Sequence, residues 1–287
     1  MNITGTTILT GLLGSPVSHS ISPQMHNEAF RLLGLDYAYL AFDIGEAQLK
    51  TAVEGLRALG VRGFNLTMPH KTAILPLVDE LTPAANLSGA CNTVINENGR
   101  LIGHTTDGVG FMRSVKAAGH TIIGKQITLL GAGGAAKAIC TQAALDGVRK
   151  ITIFRRNKEQ AFAKTVAFAN KVSRHTGCQI TVCDIADTSL LNQMLKTSAL
   201  LVNATNAGME PAPEGCPISH EVILPPQTAV CDIIYNPRTT RLMERARQSG
   251  CDTFNGLYML LYQGAAAFTC WTGREMPVEQ IRQKFFS

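Results

Sequence analysis

Residues 125–136 read KQITLLGAGGAA, and this stretch decides the fold of the second half of the chain. Its apolar first half predicts a strand, and its second half carries a G-x-G-x-x-A pattern from Gly131 to Ala136. A helical pattern then continues to about Leu145, and a second apolar run begins at Lys150. This order is typical of a dinucleotide-binding βαβ unit, because the glycines let a pyrophosphate approach the N-terminus of the helix.

Short apolar runs continue beyond this unit at residues 179–183, 199–203 and 229–234, and they alternate with helical segments. Such alternation is typical of a doubly wound parallel sheet. We therefore predict an NAD(P)-binding, Rossmann-like domain over residues 120–239. Residues 240–287 read as helices, and we expect them to pack back on the first domain of the chain, residues 1–107.

The first part of the chain predicts a separate α/β domain over residues 1–107. Its strand-like runs cover residues 7–13, 37–43, 61–66 and 92–102. A helix is expected to start near Ser22-Pro23, with Ser22 as its N-cap and Pro23 at its first position. The fold class is therefore α/β, with an N-terminal substrate domain followed by the doubly wound nucleotide-binding domain.

The composition excludes several classes of function. The net charge of +5 is spread along the chain, without the basic block that indicates nucleic-acid binding. The eight cysteines form no CxxC pair and lack metal-binding spacing, so we predict reduced thiols and no metal. No secretory leader pattern or membrane-length apolar run is visible. We expect a cytoplasmic protein that binds a small molecule, with no nucleic-acid or membrane partner.

The loop that follows the strand from Lys150 bears on the choice of cofactor. It reads Arg155-Arg156-Asn157-Lys158-Glu159. Guanidinium groups pair bidentately with phosphate, which favours the 2′-phosphate of NADP. Glu159 favours NAD instead, because a carboxylate accepts hydrogen bonds from free ribose hydroxyls, and a solvated surface also explains such charges. We predict NADP, with NAD as the alternative.

Four polar segments lie where loops or strand ends of the first domain are expected, and the first of them opens a helix. They read Ser18-His19-Ser20-Ile21-Ser22-Pro23, Asn65-Leu66-Thr67-Met68-Pro69-His70-Lys71, Gly89-Ala90-Cys91-Asn92-Thr93 and Thr106-Asp107-Gly108. Hydroxyl and N–H groups at a helix start can hold a carboxylate, but capping explains Ser22 equally well. A lone Lys71 or Asp107 is more often a solvated surface charge, so no single residue decides the function.

Further motifs follow in the second half, at Asn203-Ala204-Thr205, Asp232-Ile233-Ile234-Tyr235-Asn236-Pro237, Asn255-Gly256-Leu257 and Gln263-Gly264-Ala265. In this order, the motifs of both halves resemble the shikimate dehydrogenase family over almost the whole chain. The resemblance implies an oxidoreductase that interconverts 3-dehydroshikimate and shikimate by hydride transfer with NADP(H) or NAD(H). One alternative is a quinate/shikimate dehydrogenase of dual or catabolic role that uses NAD, which Tyr39 and Glu159 favour. The other is a non-catalytic, ligand-sensing homologue.

The resemblance also implies roles for individual residues. Lys71 and Asp107 match the catalytic pair, and the sequence leaves open whether Lys71 transfers a proton or polarises the reacting oxygen. The implied substrate-binding residues are Ser20, Ser22, Tyr39, Thr67, Lys71, Asn92, Asp107, Tyr235 and Gln263. The implied cofactor-binding residues are Gly131, Ala132, Gly133, Gly134, Ala135, Arg155, Arg156, Asn157, Lys158, Glu159, Asn206, Ile233, Tyr235 and Gly256. No metal-binding residue is implied.

Overall fold

The computed structural model describes residues 3–286, which form two compact units. The first unit runs up to Gly110 and resumes at Leu261, and the second extends from Phe111 to Leu260. The structure therefore differs from the expectation that all of residues 240–287 return to the first domain. Residues 240–260 lie in the second unit, because a short strand within them joins the second sheet.

The first unit contains a mixed, six-stranded sheet. Its strands are β1 (Ile8–Gly14), β2 (Tyr37–Asp43), β3 (Gly63–Leu66), β4 (Glu80–Leu81), β5 (Thr93–Glu97) and β6 (Arg100–His104), in the order β2-β1-β3-β5-β6-β4. Its helices are α1 (Ser22–Leu32), α2 (Leu49–Ala58), α3 (Pro83–Ser88), the start of α4 (Asp107–Ala117), most of α9 (Leu257–Thr272) and α10 (Val278–Phe285). The strands β1, β2 and β3 are parallel, whereas the hairpin β5–β6 runs antiparallel to β3.

Helix α9 is locked onto this sheet by Trp271, which is buried and donates its indole N–H to the carbonyl oxygen of Val94, 3.0 Å away. The indole lies directly on Gly63, where a Cβ atom would approach the indole nitrogen to 2.3 Å. A side chain at Gly63 would therefore displace α9 from the sheet. Since α9 also carries Gln263, this packing fixes the position of a predicted substrate-binding residue.

The second unit contains a sheet of six parallel strands. They are β7 (Gln126–Leu130), β8 (Lys150–Arg155), β9 (Gln179–Asp184), β10 (Leu200–Asn203), β11 (Ala229–Asp232) and β12 (Thr253–Asn255), in the order β9-β8-β7-β10-β11-β12. The helices are α5 (Gly134–Leu145), α6 (Glu159–Thr176), α7 (Thr188–Leu195) and α8 (Arg241–Gln248). The strand order reverses between β7 and β10, as in a doubly wound dinucleotide-binding fold, so the predicted fold class is confirmed.

Among residues 3–286, no helix combines the length and apolar character needed to cross a bilayer. In the same part of the chain, no three His, Cys, Asp or Glu side chains are grouped so that they would hold a metal ion. The eight cysteines are all free thiols.

Candidate active site

Lys71 and Asp107 form an ion pair in the first unit. Lys71 lies in the loop after β3, and Asp107 is the first residue of α4. The Lys71 Nζ atom is 2.5 Å from Asp107 Oδ2, and the two side chains are 21% and 7% exposed, respectively. The second carboxylate oxygen, Oδ1, accepts a hydrogen bond of 2.9 Å from the amide of Asn92. The carboxylate is thus held through both oxygens, and it orients a partly accessible ammonium group that has three donors.

Asn92 is the centre of this cluster. Besides Asp107, its amide nitrogen lies within hydrogen-bond distance of Thr106 Oγ1 at 2.9 Å and of Gln263 Oε1 at 3.2 Å. Its amide oxygen accepts from the backbone N–H of Thr106 at 2.6 Å. Residues 92 and 106 flank the two strands of the β5–β6 hairpin, which explains why they meet. The fold therefore brings together Lys71, Asn92, Asp107 and Gln263, four of the predicted site residues.

A second hydrogen-bonded group connects Tyr39 to this centre. The buried Tyr39 hydroxyl donates to Asn65 Oδ1 at 2.8 Å. The Asn65 amide in turn donates to the backbone oxygen of Asn92 at 3.0 Å and to Thr93 Oγ1 at 2.9 Å. Burial raises the pKa of the Tyr39 hydroxyl, which therefore keeps its proton and remains a donor.

Asn65 was not among the predicted site residues, although it belongs to one of the quoted motifs. A sequence signal was available, because this amide interrupts the otherwise buried and apolar strand β3, which reads GFNL. A polar side chain in such a strand needs buried partners. In the structure these partners are Tyr39, Asn92 and Thr93, so Asn65 joins the two groups of the site.

The prediction that Ser22 caps α1 was wrong. The helix begins at Ser22, and the N-cap is Ile21, whose φ of −81° and ψ of −10° are already helical. The Ser22 side chain makes no capping hydrogen bond, and the backbone N–H of Ser22 donates to Ser20 Oγ at 3.3 Å. Thr67 follows β3 directly, half-buried, with its backbone N–H bonded to the carbonyl oxygen of Leu13.

The glycine-rich turn of the second unit fits a pyrophosphate group. Gly131 has a φ of +104°, and a Cβ atom there would lie 2.7 Å from the backbone oxygen of Ala204. Gly133 is exposed and has no heavy atom within 4 Å of its would-be Cβ. Helix α5 starts at Gly134, and the first N–H groups of a helix have no partner within it. The turn thus offers open space in front of unpaired donors, with Ala132 and Ala135 beside it.

The charged residues after β8 have two different environments. Arg155 is half-buried, and its Nη1 atom donates to the Ala161 oxygen at 2.8 Å and to Thr165 Oγ1 at 2.7 Å. Its guanidinium group therefore fastens the start of α6. The remaining four side chains of the loop are exposed, namely Arg156, Asn157, Lys158 and Glu159. These four side chains are accessible to a ligand.

The other predicted cofactor residues follow β10 and β11. Asn206 is exposed, whereas Ile233 and Tyr235 are half-buried, and burial raises the pKa of the Tyr235 hydroxyl. Gly256 is buried against the backbone of Ile233, whose oxygen would lie 1.9 Å from a Cβ atom. Only glycine therefore fits at position 256. Tyr235, which was predicted to bind substrate as well as cofactor, lies in the second unit.

Comparison with known proteins relates this chain to one family of enzymes. Residues 12–94 match the model of the shikimate dehydrogenase substrate binding domain, and residues 256–284 match that of the shikimate 5′-dehydrogenase C-terminal domain. The chain is 50% identical over 284 residues to the shikimate dehydrogenase (NADP(+)) of Listeria monocytogenes, with 99% of this chain and 97% of that protein covered.

Solved structures give the same relationship. A shikimate 5-dehydrogenase from Listeria monocytogenes, crystallised with shikimate and NAD, is 49% identical with a TM-score of 0.94, and the match covers 100% of this chain and 99% of that one. A quinate dehydrogenase from Corynebacterium glutamicum, in complex with NAD, is 30% identical with a TM-score of 0.85, covering 97% and 98% of the two chains.

Proposed function

The chain belongs to the shikimate dehydrogenase family, and from this premise we propose that it interconverts 3-dehydroshikimate and shikimate as an NADP(H)-dependent oxidoreductase. The observation that carries the proposal is the Lys71–Asp107 pair, which is held by Asn92, itself bonded to Gln263. We assign substrate binding to the first unit and dinucleotide binding to the second. Eight free cysteines suit a reducing compartment, and we propose a cytoplasmic location.

Each group of the site has a chemical task in this reaction. The bound nicotinamide supplies or accepts the hydride. Lys71 faces the reacting oxygen and either exchanges a proton with it or polarises it while Asp107 or water takes the proton. The amides of Asn92 and Gln263 bind ring hydroxyls, together with Thr67. The hydroxyls of Ser20 and Ser22 bind the substrate carboxylate, and the buried Tyr39 holds Asn65 in place.

NADP is the cofactor that the exposed loop favours. Arg156 and Lys158 are free to face a 2′-phosphate, and the Listeria monocytogenes relative is named as NADP(+)-dependent. Glu159 is exposed in the same loop, and the related crystal structure from Listeria monocytogenes contains NAD. The preference for NADP therefore requires that the attraction of Arg156 and Lys158 for the 2′-phosphate exceeds the repulsion from Glu159.

Replacing Arg156 by alanine tests this balance. We expect KM for NADP⁺ to rise about tenfold to a hundredfold, because a charge-assisted hydrogen bond contributes about 1.5–3 kcal/mol. KM for NAD⁺ should change little, and Arg174→Ala, which removes an exposed arginine farther along α6, should affect neither value. Steady-state kinetics with both cofactors measures these effects. If KM rose equally for NADP⁺ and NAD⁺, Arg156 would not bind the 2′-phosphate, and the loop would instead recognise the ribose through Glu159.

Replacing Gly133 by valine tests the pyrophosphate site separately from the fold. Gly133 has extended backbone angles, φ −74° and ψ −175°, and open space around its would-be Cβ, so the variant should fold with an unchanged Tm. Its side chain would occupy the space in front of α5, and we expect cofactor affinity to fall roughly tenfold to a hundredfold, as for an overpacked site. Calorimetric titration with NADP⁺ measures the cofactor affinity, and a thermal melt measures the Tm. Tight cofactor binding by a folded Gly133→Val protein would place the pyrophosphate elsewhere.

A quinate/shikimate dehydrogenase is the second candidate function. Tyr39, Glu159 and the similarity to the quinate dehydrogenase of Corynebacterium glutamicum favour it. Steady-state rates with shikimate and quinate, each with NAD⁺ and NADP⁺, separate the two candidates. We expect the highest kcat/KM with shikimate and NADP⁺, whereas comparable values for quinate and NAD⁺ would support the second function.

A further inference from the structure

Asp232 is a buried carboxylate without a cationic partner. It is the last residue of β11, and its side chain is 0% exposed. None of the ion pairs among residues 3–286 involves it. Its partners are neutral donors: the Asn203 amide at 3.0 Å from both carboxylate oxygens, the Thr240 hydroxyl at 2.7 Å and the backbone N–H of Ile234 at 3.1 Å.

Three hydrogen-bond donors face the carboxylate, and the ionised form of Asp232 accepts from all of them. The Asn203 amide nitrogen and the Ile234 N–H can only donate, and a carboxyl oxygen that faces them must accept. The Asn203 amide oxygen is itself occupied, because it accepts from the Thr205 backbone at 3.0 Å and from the Thr205 hydroxyl at 2.7 Å. Burial raises the pKa of Asp232, and the three donors oppose this shift. A buried negative charge of this kind is stabilised by any cation that binds nearby.

The sheet topology places Asp232 in the half of the unit that receives the nicotinamide. In doubly wound folds, a dinucleotide lies across the carboxyl ends of the strands, with one mononucleotide on each half of the sheet. The glycine turn after β7 and the loop after β8 belong to the adenosine half. The other half consists of β10, β11 and β12, and Asn203 and Asp232 are the carboxyl-terminal residues of its first two strands.

We propose that Asp232 is ionised in the folded protein and that its charge sets the relative affinity of this protein for the two redox states of its cofactor. The oxidised nicotinamide ring carries a positive charge, and the reduced ring is neutral. A fixed negative charge in this half of the site therefore favours the oxidised form. The inference rests on the proposed function, because it requires a nicotinamide dinucleotide.

The substitution Asp232→Asn removes the charge and keeps the shape. Its amide oxygen can still accept from Ile234 and Asn203, and its NH₂ group can donate to the Thr240 hydroxyl, so the hydrogen bonds have a neutral arrangement. We expect the ratio of Kd for NADP⁺ to Kd for NADPH to rise roughly sixfold to sixteenfold, as for unit charges about 10–15 Å apart at an effective dielectric constant of about 20. Fluorescence or calorimetric titration measures both constants without turnover.

Two control variants separate charge from structure. Thr240→Val disturbs the same network but keeps the carboxylate, and Asp184→Asn removes another aspartate at the carboxyl end of a strand, in the adenosine half. Neither should change the ratio. If Asp232→Asn does not fold, Asp232→Ser provides the same neutral test in a smaller side chain.

An unchanged ratio in a folded neutral variant would overturn the proposal, even if both affinities fell, because equal losses indicate a purely structural role. A ratio that also shifts in Thr240→Val would overturn it as well. If neither cofactor form binds the wild-type protein, the proposed function itself fails, and this result is distinct from the others.

Discussion

Replacement of Lys71 by alanine should lower kcat for shikimate oxidation by about 10²–10⁴-fold, the range of a positioned acid–base group. KM for shikimate should stay nearly unchanged, which is the pattern of an interaction made mainly in the transition state. The structure supports this expectation because Asp107 remains held by Asn92 when the lysine is removed. The loss should therefore report the missing ammonium group and not a collapsed site.

The matched control is Lys116→Ala, which removes an exposed lysine from α4, the helix that begins with Asp107. Its kcat and KM should equal those of the wild type. Steady-state kinetics over a range of shikimate concentrations provides the comparison, with circular dichroism to confirm that both variants fold. Turnover near the wild-type rate in Lys71→Ala would mean that the lysine is a surface charge and that the catalytic assignment fails.

The positions of most strands could be predicted from the sequence, because each buried strand carries its own apolar run. Strand β12 was missed since it has only three residues, all half-buried, and its extended backbone depends on pairing with β11. The error at Ser22 concerns the position at which helix α1 starts. A serine before a proline predicts an N-cap, but the backbone of Ile21 starts the helix one residue earlier.

The sequence motifs predicted the residues of the site that belong to them by resemblance, but not every contact between those residues. Lys71, Asn92, Asp107 and Gln263 were named, and the fold brings these four together. The part played by Asn65 was not predicted, because it follows from buried partners on other strands. Arg155 was predicted to contact the cofactor, and the structure adds a second role, because its Nη1 atom is bonded to Ala161 and Thr165 of α6. Sequence patterns identify the residue types, and tertiary contacts decide what each residue does.

The protonation state of His26 follows from its position in the fold. It lies in α1 with its ring stacked on Tyr39, at a centroid distance of 4.4 Å, and it also contacts Phe268 and Trp271. The side chain is completely buried, and within residues 3–286 neither ring nitrogen has a hydrogen-bond partner. Burial lowers the pKa of His26 from 6.5 to about 3, so the imidazole is neutral in the folded protein.

This buried imidazole should make the protein sensitive to acid. The unfolded chain binds a proton at His26 below pH 6.5 and the folded chain does not, so the free energy of unfolding falls as the pH drops from 6.5 towards 3. At 1.36 kcal/mol per pH unit, the loss at pH 4.5 is about 2.7 kcal/mol relative to neutral pH. In His26→Leu this part of the pH dependence should disappear, whereas His220→Leu, at an exposed histidine, should keep the wild-type slope. Urea unfolding at pH 7.5 and 4.5 measures the three slopes, and an equally steep decline in His26→Leu would show that His26 is protonated in the folded protein or is not the source of the acid sensitivity.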